Sequence, residues 1–184
     1  AAAGGRPDGR AVGLPLFVFS RAPNDPLCLD NEIRVLRDVG SITGGNPMLV
    51  SPTLAQLGAH LATVRPSGLH LAIHSSEEGV LLLETASGTP MSITTDDLVA
   101  LLAPLGSANP GGCLEFVFIN GCDTAPALTR LCAECGIPFA VGWEGKVPSP
   151  ACVIMAAVFY QSLLQGADYA RAFGAAKFIV QHHT

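Results

Sequence analysis

The sequence has few charged residues, and cations are the minority among them. Only 14% of its 184 residues are charged, and 10 Lys and Arg stand against 15 Asp and Glu, which gives a formal net charge of −5. Non-specific nucleic-acid binders and polybasic membrane-surface modules need a surplus of cations to neutralise phosphates. We therefore expect neither nucleic acid nor a membrane among the partners.

Long apolar runs and a cysteine framework are also missing. The longest apolar run, Ala151–Tyr160, is far shorter than a membrane span of roughly 18 residues. Six irregularly spaced cysteines do not suggest a disulfide-stapled secreted domain, so we expect mostly reduced thiols in a cytoplasmic protein. The small, turn-rich Ala1–Gly13 lacks an apolar signal core. We expect residues 1–13 to be a flexible end and 14–184 to be a single domain, a fragment of a larger protein.

What the sequence does have is a large apolar fraction, 49%, arranged in segments whose period changes repeatedly. Strand-like runs are Leu14–Ser20, Leu69–His74, Leu114–Asn120 and Ile137–Gly142, and Gly79–Glu84 with Met91–Ile93 has the pattern of a β-hairpin. Predicted helices are Asp30–Val39, one capped by Ser51 with Pro52 at its first position, Thr94–Ala103, Ala125–Cys135, Ala151–Gln165 and Asp168–Gln181. The alternation predicts an α/β fold, a three-layer α/β/α sandwich with a mainly parallel sheet plus the small hairpin.

Two reactive side chains fall where such a fold binds ligands. His74 ends one predicted strand, and Cys122 lies two residues beyond another. Open α/β sheets bind ligands at the carboxyl ends of their strands. The two residues are 48 positions apart, and caspase-type enzymes have their histidine about 50 residues upstream of the cysteine. The helix after Cys122 would favour its thiolate, and the neighbouring Asp123 would oppose it.

Two motifs resemble those of CHAT-domain proteins, a caspase-like branch of the cysteine peptidases. Leu69–Glu84 (LHLAIHSSEEGVLLLE) resembles the family's His-x-x-x-His segment, in which the second histidine is catalytic and matches His74. Ile119–Thr124 (INGCDT) resembles its Asn-Ala-Cys motif, with the nucleophile at Cys122. The resemblance extends, in the same order, to Phe17–Arg37 and to Gly136–Phe173, which includes Phe159 and Tyr160. It implies a caspase-like fold and a cysteine endopeptidase that uses a His/Cys dyad and no cofactor or metal.

The resemblance also implies roles for residues around the dyad. The backbone N–H groups of Ser75 and Cys122 would form the oxyanion hole, although the family has glycine at Ser75 and Ile73. Gly142, Trp143 and Glu144 would contact a protein or peptide substrate laid down as an added strand. The family's acidic residue after this segment falls at Ser149.

Two further features bear on substrate and regulation. Arg21 would bind the carboxylate of an acidic substrate residue through two hydrogen bonds, as a first-strand-loop arginine does in caspases. Alternatively, Arg21 faces solvent or pairs with Asp25. Regulatory regions of the same parent chain are expected as further partners, because CHAT-like domains commonly sit behind repeat or sensor regions.

Several other interpretations stay open. Taken alone, Cys122 is a core thiol and His74 a core histidine, and His70 is a packing or orienting residue. Cys132-x-x-Cys135 lies on a predicted helix without a second pair, which favours ordinary thiols over a zinc or redox site. The domain as a whole could be a catalytically silent interaction module of caspase-like fold, or a flavodoxin-like ligand-binding module, for which the sequence offers no phosphate cradle.

Overall fold

The computed structural model describes residues 14–20, 29–75 and 80–183, so Ala1–Gly13 lies outside the described residues. The strands are β1 (Leu16–Phe19), β2 (Met48–Val50), β3 (Gly68–Ala72), β4 (Leu81–Glu84), β5 (Pro90–Ile93), β6 (Phe116–Asn120) and β7 (Phe139–Val141). The α-helices are α1 (Leu29–Asp38), α2 (Leu54–Val64), α3 (Thr95–Leu102), α4 (Ala125–Cys135), α5 (Ser149–Leu164) and α6 (Tyr169–His183), and a 3-10 helix covers Ala103–Leu105. Within these ranges, none of the helices has the length and apolar character needed to cross a membrane.

Five strands form one sheet in the order β2-β1-β3-β6-β7, and all four pairings are parallel. The hairpin β4–β5 is antiparallel and forms a separate small sheet. The α/β class, the parallel sheet and the hairpin predicted from the sequence are confirmed. The central strands β3 and β6 are direct neighbours, so the segments that follow them share one edge of the sheet.

The two faces of the sheet pack against different helices, which makes three layers. On β6, Val117 and Ile119 join a core cluster that includes leucines of α2, α3 and α4. Phe116 and Phe118 point to the other face, where a second cluster includes side chains of α1, α5 and α6. Adjacent side chains of a strand alternate between faces, so the nearly continuous apolar sequence of β6 is what a sheet covered on both sides requires.

The start of α2 differs from the prediction. Thr53, rather than Ser51, caps the helix: its side chain accepts the Gln56 N–H, and the Gln56 side chain accepts the Thr53 N–H. Ser51 has a positive φ of 49° and donates its N–H to the Phe19 carbonyl at 2.7 Å. It thereby ends β2, a three-residue edge strand that is too short to show a period in the sequence.

Candidate active site

His74 and Cys122 follow neighbouring strands at the same distance from their ends. Ala72 and Asn120 are the last paired residues of β3 and β6, and each candidate lies two residues further on. The Ile73 N–H donates to the Asn120 carbonyl at 3.2 Å, which extends the pairing beyond the strands. Both residues are half-buried at the carboxyl edge of the sheet. The structure therefore brings the segments of the two predicted reactive residues together.

A side-chain contact links these two segments directly. The Ser75 hydroxyl donates a hydrogen bond to the carbonyl oxygen of Cys122. Ser75 also forms an isolated antiparallel β-bridge with Leu81. In this bridge the Leu82 N–H donates to the His74 carbonyl at 2.9 Å. Within residues 14–20, 29–75 and 80–183, the N–H groups of Ser75 and Cys122 donate to no acceptor. In the described ranges, both N–H groups therefore remain available in the two loops that the Ser75–Cys122 contact links.

The turn that carries Cys122 is closed by the segment after β7. Asp123 has a φ of +52°, a left-handed conformation that aspartate tolerates better than most residues. Its N–H donates to the Gly145 carbonyl at 3.1 Å, and the Thr124 and Ala125 N–H groups donate to the Trp143 carbonyl at 3.0 and 3.1 Å. The sequence leaves open the net effect of this helix start and of Asp123 on the thiol; in the structure these N–H groups bind carbonyl oxygens.

The backbone of Val147 contacts the Cys122 sulfur itself. Its N–H lies 3.4 Å from Sγ, and its carbonyl oxygen lies 4.0 Å from Sγ. The segment from Trp143 to Val147 therefore runs from the start of α4 across the thiol. We call it the 143–147 segment.

The predicted substrate-binding residues line an open cleft. β7 is an edge strand, and a cleft of about 480 Å³ runs along it between α4 and α6. Its walls include Leu128, Gly142, Trp143, Glu144, Phe173 and Lys177. A side chain at Gly142 would overlap the Leu128 and Thr124 side chains, so these would have to shift to make room for it. Arg21, the remaining predicted contact, lies outside the described residues.

The sequence predicted only part of a buried polar cluster that includes the Asn of the INGCDT motif. Glu32 of α1 and Asn120 of β6 are each 4% exposed, and His70 of β3 is fully buried. Glu32 Oε1 lies 2.7 Å from Asn120 Nδ2 and 3.1 Å from His70 Nε2. His70 was expected to be a packing or orienting residue, and the Asn of the INGCDT motif was a second local signal. Glu32 was missed, because no sequence period connects Asn120 with a glutamate 88 positions away.

The remaining cysteines of α4 do not assemble a metal site in the described ranges. Cys132 is half-buried and Cys135 is buried, and desolvation raises the pKa of both thiols. Among the residues that the structure describes, no group of three or more His, Cys, Asp and Glu side chains forms a candidate cation site. A raised pKa keeps these thiols protonated at neutral pH, whereas metal ligation and nucleophilic attack use the thiolate.

No protein-family model matches the sequence, and a search of curated proteins finds no match to it. The function is therefore inferred from the chemistry of the residues just described.

Proposed function

We propose that this domain is a cysteine endopeptidase of the caspase-like type, with Cys122 as the nucleophile and His74 as the general base and acid. The observation that carries the proposal is the matched position of the two residues, each two residues beyond the paired Ala72 and Asn120 on adjacent parallel strands. The Ser75–Cys122 hydrogen bond supports it, because it fixes the two loops relative to each other. The motif resemblance to CHAT-domain peptidases points to the same chemistry.

The proposed reaction has two halves. The Cys122 sulfur attacks the scissile carbonyl carbon while His74 accepts the thiol proton, and His74 then gives this proton to the leaving amine as the C–N bond breaks. Water then attacks the resulting thioester while His74 accepts a proton from the water, and the C–S bond breaks. The thiol regains its proton and the carboxylate product leaves.

The oxyanion and the substrate chain have candidate binding groups beside the dyad. The unused N–H groups of Ser75 and Cys122 would donate to the developing oxyanion. The substrate would pair with the edge strand β7 and occupy the cleft along it, where Gly142, Trp143 and Glu144 lie. Specificity for an acidic residue bound by Arg21 stays a prediction, which peptide-library profiling of wild type and Arg21→Ala tests. A loss of acidic preference in the variant is the expected result.

We further propose a reducing, cytoplasmic setting, with regulatory regions of the parent chain as partners. The five cysteines in the described ranges are free thiols, which supports a reducing compartment.

The test is active-site labelling together with peptide turnover. A peptidyl chloromethyl ketone should alkylate wild type at Cys122, as located by peptide mass spectrometry, and Cys122→Ala should lose turnover by orders of magnitude while keeping its circular dichroism and melting temperature. His74→Ala should lose turnover and be labelled more slowly, because a cysteine without its base retains some thiolate.

Matched controls are Cys113→Ala and His60→Ala, which remove a half-buried free cysteine and a half-buried histidine on α2. Both should behave as wild type. Turnover by Cys122→Ala within about threefold of wild type contradicts the assignment.

A catalytically silent interaction module is the second candidate. The observation that favours it is the Val147 backbone, which contacts the Cys122 sulfur where a substrate carbonyl would approach. In a silent module the ketone would label Cys122 no faster than Cys113, and no peptide in a library would be cleaved. Selective labelling of Cys122 rejects this alternative.

A further inference from the structure

Four buried or half-buried polar side chains form a continuous hydrogen-bonded network beneath Cys122. They come from four different parts of the fold: Glu32 from α1, His70 from β3, Asn120 from β6 and Trp143 from the loop after β7. Buried polar groups are usually hydrogen-bonded, since an unpaired one destabilises the fold. The network therefore constrains every element that contributes to it.

Asn120 is the centre of the network, and its side-chain amide uses both N–H donors and its oxygen in hydrogen bonds. Nδ2 donates to Glu32 Oε1 at 2.7 Å and to the Cys152 carbonyl at 3.0 Å. Oδ1 accepts the indole N–H of Trp143 at 2.8 Å. Because an amide has two N–H donors on one side and an oxygen on the other, these three bonds fix its orientation. Aspartate, although nearly the same shape, would set an oxygen against two acceptors.

Glu32 binds the Asn120 amide directly, and His70 contacts Glu32. Glu32 Oε1 receives Asn120 Nδ2 and also lies 3.1 Å from His70 Nε2. Within the described ranges His70 Nδ1 has no hydrogen-bond partner, so a hydrogen on Nε2 donated to Glu32 is the arrangement that leaves no buried N–H unpaired. The rings of Phe17, Phe118 and Tyr160 surround the imidazole at centroid distances of 5.0 to 5.5 Å and hold it in place.

What the network holds is the 143–147 segment. The Trp143 side chain is tied to Asn120, its carbonyl accepts two N–H groups at the start of α4, and Val147 at the other end contacts the Cys122 sulfur. Trp143 also lines the cleft along β7. We propose that Glu32, His70 and Asn120 are positioning residues that hold the 143–147 segment against Cys122 and set the orientation of Trp143 in the cleft. The role of this segment in substrate binding rests on the proposed peptidase function; its being held by the network does not.

The single tryptophan makes the proposal measurable without turnover. Trp143 is the only tryptophan in the chain, so the emission and acrylamide quenching of the intact protein report on this residue alone. In Asn120→Asp an oxygen faces Glu32 Oε1 and the Cys152 carbonyl, and in Glu32→Ala the acceptor for Asn120 Nδ2 is lost. Either change releases the side chain that accepts the indole N–H, so we expect the quenching constant to rise about twofold as the segment opens locally. Iodoacetamide should alkylate Cys122 about threefold faster, because the Val147 backbone no longer covers the sulfur, while peptide turnover falls.

Controls separate positioning from a general loss of stability. Glu115→Gln removes a carboxylate that bonds Tyr169 at the start of β6, at the opposite edge of the sheet. It should alter the melting temperature and leave both the quenching and the Cys122 alkylation unchanged. Cys135, which is fully buried, is the internal reference, because it stays unlabelled as long as a variant is folded.

The outcomes distinguish this inference from the proposed function. If wild type cleaves no peptide but the network variants show the expected quenching and alkylation, the positioning inference stands and the peptidase proposal fails. If folded Asn120→Asp and Glu32→Ala match wild type in both readouts, the inference is overturned, whatever the turnover. Should either variant fail to fold, Trp143→Phe decides: it keeps an aromatic ring without the N–H donor, and unchanged alkylation of Cys122 in it overturns the inference.

Discussion

The hydroxyl of Ser75 donates to the carbonyl of Cys122 and so ties the loop after β3 to the loop after β6. This bond occurs where the resembling family has a glycine, which has no side chain to make it. The two loops carry the proposed base and nucleophile, so this side chain helps to fix their separation.

Ser75→Ala should therefore weaken the site without unfolding the domain. The Cys122 carbonyl loses its donor, so we expect a loss of about 1 kcal/mol in the free energy of unfolding. A loss of that size lowers the melting temperature by about 2–4 °C in a domain of this length. Turnover and ketone labelling of Cys122 should fall with it. Ser92→Ala, an exposed position on β5, is the control, and equal effects of the two substitutions contradict the prediction.

Gly142→Ala and Gly174→Ala should have effects of opposite sign. A Cβ at Gly142 overlaps the Leu128 and Thr124 side chains, so we expect a loss of about 1–3 kcal/mol from overpacking and a displaced Trp143. Gly174 lies within α6 with open space around it, where alanine should stabilise the fold by about 0.5–1 kcal/mol. Urea unfolding of both variants measures the free energy of unfolding. An unchanged value in Gly142→Ala contradicts the prediction and shows that Leu128 and Thr124 can shift to make room for the Cβ.

A single cut after Lys146 should inactivate the domain. The chain has two lysines: Lys146 is exposed in the loop beside Val147, and Lys177 lies within α6. A lysine-specific endoprotease should cut Lys146 first, because cleavage of a helix requires local opening. The cut frees the 143–147 segment and with it Trp143, which lines the proposed substrate cleft. Labelling by the peptidyl ketone, which needs that cleft, should therefore be lost as the fragments appear, whereas iodoacetamide should still label the uncovered Cys122.

The control for this cut is Lys146→Arg, which keeps the positive charge and resists the protease. It should retain activity throughout the digestion.

The same experiment tests whether the domain needs a maturation cleavage. The chain between Cys122 and β7 consists of a short turn, α4 and residues 136–138, so we expect the active species to be one uncut chain. Two stable fragments in the active material, as seen by mass spectrometry, contradict this.

Stability should fall at alkaline pH, in part because of Cys152. Burial, followed by the negative charge of Glu32, raises the pKa of the Cys152 thiol far above its usual range. Above about pH 8.5 the unfolded chain loses this proton and the native state keeps it, so unfolding is favoured as the pH rises. One such group changes the free energy of unfolding by about 1.4 kcal/mol per pH unit.

Denaturant titrations between about pH 8.5 and 10 measure this slope. Cys152→Ala should make the slope shallower, whereas Cys113→Ala, which removes a half-buried cysteine, should leave it as in wild type. An identical slope in wild type and Cys152→Ala contradicts the assignment.

Local sequence patterns predicted the elements better than they predicted the contacts between them. The bounds of α4 agree with the prediction, because Pro126 marks its first turn and the left-handed Gly136 ends it. The edge strand β2 was missed, because three residues carry no period and only pairing with β1 makes them a strand.

For the candidate site, the sequence supplied the two reactive residues but not what surrounds them. A strand end is visible locally, so His74 and Cys122 could be singled out. The Val147 contact with the sulfur and the Glu32–Asn120 bond join residues 25 and 88 positions apart, and no local propensity encodes such pairs. Long-range packing decides them, and it appears only in the folded structure.

If Cys122 is the proposed nucleophile, the β3–β6 pairing also determines when its thiol can act. Each half of the dyad is an ordinary side chain until a chain of nearly 50 residues has closed into adjacent strands, and closing so long a loop is slow. On the ribosome, Val147 is made about 1–5 s after Cys122, at ordinary rates of synthesis. An emerging chain therefore passes through this interval with an exposed, unassembled cysteine, and the proposed dyad would form only after β3 and β6 have paired.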